Sequence, residues 1–126
     1  MGTETPRVLV VDDHHDGATA LGEFLCTLGC EVRLAHSGEE ALKVAPDFKP
    51  QLIILDIEMP GLDGLQTAKC LRAQSWATRT TLATHSGSAD PAIADLSKGA
   101  GCDHHITKPA TGAAFEAILE LVRQAG

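Results

Sequence analysis

RVLVVDDHHD, residues 7–16, runs an apolar segment straight into two adjacent carboxylates. Val8, Leu9, Val10 and Val11 show no polar alternation. That is the pattern of a strand buried on both faces inside a parallel sheet. Asp12 and Asp13 follow with no Lys or Arg beside them. LIILD, residues 52–56, repeats the arrangement: an apolar run closes on another acid, Asp56.

Outward from these two runs, Glu31–Ala35, Thr80–Ala83 and His104–Thr107 read as strands, the last by its place in the alternation. Segments with helical spacing lie between them. Ala18, Leu21, Leu25 and Leu28 form one stripe, closed by Gly29 as a C-cap. Ser37 and Glu40 have the S-x-x-E form of a capping box ahead of Ala41, Leu42 and Ala45, and Pro46 is expected to stop that helix. Leu65, Ala68 and Leu71 make a third stripe. Asp90-Pro91 opens a fourth over Ala92–Lys98. Phe115, Ile118, Leu119 and Val122 make the fifth, and Trp76 falls in a loop near the end of the third helix.

Strands alternating with helices need right-handed crossovers, which predicts an α/β fold: a doubly wound, five-stranded parallel sheet with helices on both faces. Ligands of such sheets sit beyond the carboxyl ends of the strands, where the strand order reverses. If the first and third strands are neighbours, Asp12, Asp13 and Asp56 converge there. Two unit charges about 4 Å apart repel by roughly 1 kcal/mol in water and about 4 at an effective dielectric near 20. Such a cluster calls for a cation, and an oxygen-only donor set suits Mg²⁺, which often shares its shell with a phosphate.

The 126 residues are read as one domain, residues 1–126 with its core over about 7–122, large enough to bury a proper core. Net charge is −7 and aromatic content 3%, with no Tyr, which argues against binding to nucleic acid or to an anionic membrane. No signal peptide is read at the start, and no apolar stretch approaches a membrane span. The four cysteines, Cys26, Cys30, Cys70 and Cys102, form no C-x-x-C pair and are read as reduced, mostly buried thiols of a cytoplasmic protein.

VLVVDD, LIILDIEMPGLDG, THSGS and GCDHHITKP occur in this order and spacing from Arg7 to about Val122. With them the chain resembles a CheY-like response-regulator receiver domain of two-component signalling. The resemblance implies strand order 2-1-3-4-5. It implies that Asp56 accepts a phosphoryl group from a phosphohistidine in a Mg²⁺-dependent reaction, with Mn²⁺ as an alternative ion. Asp13 and Asp56 would touch the ion, Asp12 would act through water, and the backbone carbonyl of Glu58 would add a ligand. Lys108 would contact the phosphoryl group, ahead of a cis bond to Pro109. The switch hydroxyl falls on Ser86, 30 residues after Asp56 and 22 before Lys108, in preference to Thr84. The amides of Ile57 and Gly87 would donate to the phosphoryl oxygens. His105 takes the place of the usual switch aromatic, a departure that brings a group titrating near neutral pH.

Implied partners are a sensor histidine kinase or histidine phosphotransfer protein, and an effector or second copy on the face of helix 4, strand 5 and helix 5. No enzyme activity is implied beyond the domain's own phosphorylation and dephosphorylation. Two other readings compete: a small phosphatase or phosphotransferase with Asp56 as nucleophile, and a receiver used only for binding. His14-His15, His104-His105, His36 and His85 are read as surface or loop residues rather than ligands of a zinc ion, because adjacent strand residues face opposite ways. No output domain is expected after Val122, which leaves open a stand-alone regulator, a phosphate shuttle or a piece of a hybrid kinase.

Overall fold

The computed structural model describes residues 5–125; residues 1–4 and 126 of the expected domain lie outside them. The chain alternates β1 (Arg7–Val11), α1 (His15–Thr27), β2 (Glu31–Ala35), α2 (Gly38–Phe48), β3 (Leu52–Asp56), α3 (Gly64–Arg72), β4 (Thr81–Ser86), α4 (Pro91–Gly99), β5 (His104–Thr107) and α5 (Gly112–Ala125). All pairings are parallel and the order is β2-β1-β3-β4-β5, as expected.

Period-two alternation divides each central strand between two cores. Leu9, Val11, Ile53, Leu55 and Leu82 pack with Ala41, Ala45, Ala68 and Leu71 of α2 and α3. Val8, Val10, Leu52, Ile54 and Ala83 pack with Ala18 and Leu25 of α1 and with Phe115, Ile118, Leu119 and Val122 of α5. Leu9, Leu52, Ile53, Ile54, Leu55 and Leu82 are fully buried. Each such side chain contributes about 1.5–3 kcal/mol relative to an exposed one. Gly29 does end α1, in the left-handed region at φ +88°, and the Arg123 side chain donates to the Leu28 carbonyl there (2.7 Å).

Pro46 does not stop α2. The helix continues to Phe48 and ends with Lys49 in the left-handed conformation. A proline in the last turn removes a single hydrogen bond, and continuing the turn buries Phe48 in the core beneath the Arg33 guanidinium. β4 runs beyond the expected Ala83, because Thr84, His85 and Ser86 pair with β5. Trp76 lies in a short 3-10 turn, Ser75–Arg79, partly buried against the α2–α3 core rather than in an open loop. All four cysteines are free, but only Cys30 and Cys102 are buried; Cys26 and Cys70 are exposed. Among the described residues no helix is long and apolar enough to cross a membrane.

Candidate functional site

β1 lies between β2 and β3, so the connections leaving β1 and β3 diverge and open a crevice at their carboxyl ends. Val11 is opposite Leu55, and the residues that follow each, Asp12 and Asp56, enter that crevice. Asp12, Asp13, His14 and Asp56 each place one donor atom so that all lie within 4.8 Å of one another.

Asp56 is 2% exposed. Burial pushes its pKa up to about 6, against the opposing pull of Lys108; the Asp12 carboxylate adds to the rise. Lys108 arrives from the end of β5, with Nζ 3.2 Å from Asp56 Oδ1 and 3.9 Å from Asp12 Oδ2. Its backbone amide donates to the Ser86 carbonyl (2.7 Å), and the bond to Pro109 is cis. One amine thus reaches two of the three acids. Asp13 Oδ1 is buried with no hydrogen-bond partner. His14 Nδ1 lies 3.3 Å from it without forming a hydrogen bond, and a buried carboxylate oxygen in that state is costly unless a cation meets it. Hard oxygen donors, excess negative charge and an unpartnered buried oxygen fit Mg²⁺.

Gly64 closes the loop behind Asp56. A Cβ there would overlap the Asp56 carbonyl oxygen and lie 2.8 Å from Ile57 Cα, so the LDG turn needs glycine for this close approach. The loop is anchored by Asp63, which caps α3 in a reciprocal capping box with Gln66.

Ser86 is buried at the end of β4 and donates to Glu58 Oε1 (2.9 Å); the Gly87 amide donates to the same oxygen (3.1 Å). By resemblance Glu58 was expected to lend its backbone carbonyl to the ion and to tune access of water to the acyl phosphate; the contact of its carboxylate with Ser86 and Gly87 was not foreseen. The Ile57 amide, expected to face a phosphoryl oxygen, instead donates to the His85 carbonyl (3.1 Å), extending the β3–β4 ladder. Thr84 points away from Ser86's surroundings: its hydroxyl pairs with Ser97 of α4 and with His105 Nδ1 (2.8 Å). His105 is therefore tied to α4 through Thr84, and burial lowers its pKa.

The histidines are not all surface or loop residues. His85 lies in β4, opposite Asp56 in the ladder, edge-on to Phe115 with centroids 5.6 Å apart. Its Nε2 is buried without a partner, and burial, reinforced by the Lys108 charge, lowers its pKa to about 4. The signal was available: Leu82 and Ala83 carry the strand pattern directly into His85. His14 sits over the acids, with Nδ1 3.3 Å from Asp13 Oδ1 and 3.5 Å from Asp12 Oδ1. His15 and His36 stack at 3.7 Å beside it.

Residues 8–120 match the family model described as the response regulator receiver domain. The chain belongs to that family. It is 38% identical over 126 residues to the transcriptional regulatory protein PrrA of Mycobacterium leprae, covering 99% of this chain and 53% of that protein. It is 39% identical over 103 residues to the alkaline phosphatase synthesis transcriptional regulatory protein PhoP of Bacillus subtilis, covering 82% of this chain and 42% of that one. The receiver thus spans about half the length of these curated relatives. Among solved structures, Vibrio cholerae chemotaxis protein CheY4 superposes with a TM-score of 0.88 at 28% identity, covering 94% of this chain and 99% of that one. A putative response regulator from Chloroflexus aurantiacus gives 0.90 at 26% identity, covering 96% and 99%. The receiver therefore matches these solved chains almost end to end and the curated relatives over about half their length.

Proposed function

We propose that this receiver accepts a phosphoryl group on Asp56 from the phosphohistidine of a sensor kinase or phosphotransfer protein. The observation that carries this reading is a buried carboxylate held by Lys108 at 3.2 Å, beside an acid pair with an unpartnered oxygen. An Asp56 oxygen attacks phosphorus, the P–N bond to the donor imidazole breaks, and the imidazole takes up a proton. The product is an acyl phosphate, a mixed anhydride suited to a reversible signal. Lys108 pairs with one phosphoryl oxygen, and the Ser86 hydroxyl and Gly87 amide donate to another. Mg²⁺, or Mn²⁺ in its place, supplies charge neutralisation between the acids and the phosphoryl group. Asp13, Asp56 and the Glu58 carbonyl would hold it, with Asp12 acting through water.

In this reading the protein turns over no external substrate, works in the cytoplasm and binds neither nucleic acid nor membrane directly. Its output passes through the face of α4, β5 and α5, to an effector or to a second copy. The Thr84–Ser97–His105 connection supports that route, because it ties the switch position to α4. Intact-mass measurement after incubation with Mg²⁺ and acetyl phosphate tests the proposal. One phosphoryl adduct is expected, abolished by Asp56→Asn and by EDTA. No adduct would favour a binding-only receiver, and many turnovers per protein would favour a phosphatase.

A further inference from the structure

The Glu58 carboxylate is itself an anion held by two donors. Oε1 accepts from Ser86 Oγ at 2.9 Å and from the Gly87 amide at 3.1 Å, across 28 and 29 residues of sequence. These are the groups assigned above to a phosphoryl oxygen. Both distances lie within the ordinary hydrogen-bond range. Ser86 is 1% exposed, so its hydroxyl has no bulk water to turn to. It also accepts from the Ser88 amide (3.1 Å), which orients its proton toward Glu58. The donor pair is therefore preformed, and it is already satisfied.

We infer that Glu58 fills the phosphoryl-oxygen subsite in the resting receiver and must swing out before an anion can bind on Asp56. The inference rests on the phosphoacceptor reading and adds a competitor to it. Glu58 is a positioning residue in reverse: it withholds Ser86 and the Gly87 amide until an incoming dianion displaces it. Its side chain is otherwise exposed, so leaving the subsite needs no opening of the core. The apparent affinity for the anion falls by the fraction of time the subsite stands open. If that fraction is roughly one-tenth, removing the carboxylate tightens binding about tenfold, or about 1.4 kcal/mol.

Three variants separate occupation from simple charge. Glu58→Ala removes the side chain, Glu58→Gln removes the charge but keeps the length, and Glu58→Asp keeps the charge but shortens the reach. Beryllofluoride with Mg²⁺ serves as the anion, titrated by Trp76 fluorescence and by the Gly87 amide resonance. The expected result is a half-saturation point lowered about tenfold in Glu58→Ala and Glu58→Asp, with Glu58→Gln between these and the wild type. In the free protein, the Gly87 amide resonance should move in Glu58→Ala and Glu58→Asp. Equal half-saturation in all four proteins would overturn the inference while leaving the phosphoacceptor reading intact. So would a Glu58→Asp variant that behaves as wild type while Glu58→Gln binds tighter, since charge alone would then account for the effect. Absence of any Asp56-dependent adduct in the wild type would overturn both readings together.

Discussion

Asp56 and His85 face each other across the β3–β4 ladder, and burial disfavours the charged form of both. For Asp56 the pKa rises from 3.8 to about 6. A raised carboxyl pKa means the folded state binds the proton more tightly, so stability is lost as pH rises from about 4 through 6. In EDTA, Asp56→Asn should therefore melt higher than wild type at pH 7.5, with the gap closing below pH 4, as followed by circular dichroism. A gap that stays constant with pH would show that the carboxylate charge is not its source. His85 acts with the opposite sign. Its folded pKa is about 4 against 6.5 when unfolded, so stability is full above 6.5 and falls as pH drops toward 4. His85→Leu should remove that acid-side loss, measured as the wild-type minus variant melting temperature between pH 7 and 4.5. The two effects overlap in one pH window, so only the variant differences resolve them.

At the scale of elements, Arg72 at the end of α3 does the most joining. Its guanidinium donates to the carbonyls of Gly101 (3.0 Å), Ala77 (2.8 Å) and Thr80 (2.9 Å) and pairs with Asp103 (2.9 Å). Asp103 in turn accepts from the Leu82 amide, which ties the loop before β5 to β4. Arg72→Leu should cost about 2 kcal/mol in urea unfolding, since carbonyls shielded from water lose their donor. A loss below about 0.5 kcal/mol would mean that water replaces the arginine. Nothing in the sequence marks Arg72, because three of its partners are backbone carbonyls and the fourth, Asp103, lies 31 residues away. Elements whose periodicity matches their burial were legible: the α5 stripe Phe115, Ile118, Leu119 and Val122 is buried as spaced. The misreadings came where tertiary contacts outweigh local preference. Phe48 buries itself past Pro46, and pairing with β5 lengthens β4.

For the molecule as a whole, the strand order decides the chemistry. The acids, the hydroxyl and the lysine come from β1, β3, β4 and β5, and only the 2-1-3-4-5 order brings them to one crevice. That convergence was legible in the sequence as acids ending apolar runs. The Glu58 contact and the His105–Thr84 pairing were not, because side-chain direction in a loop or an edge strand leaves no periodic trace. Mg²⁺ should raise the melting temperature with the logarithm of its concentration above Kd, a tenfold excess over Kd adding about 1.4 kcal/mol. Asp13→Asn should lose most of that gain in thermal melts with and without EDTA; full retention would remove Asp13 from the site. The same topology also bears on how the chain is born. Asp12 and Asp13 leave the ribosome about 95 residues ahead of Lys108 (108 − 13 = 95), and at roughly 5–20 residues per second the interval is on the order of 5–20 s. Through that interval a nascent β1–β3 pair would hold three clustered acids without the domain's own lysine. A divalent cation captured early would then act as a folding aid, before any signal reaches the protein.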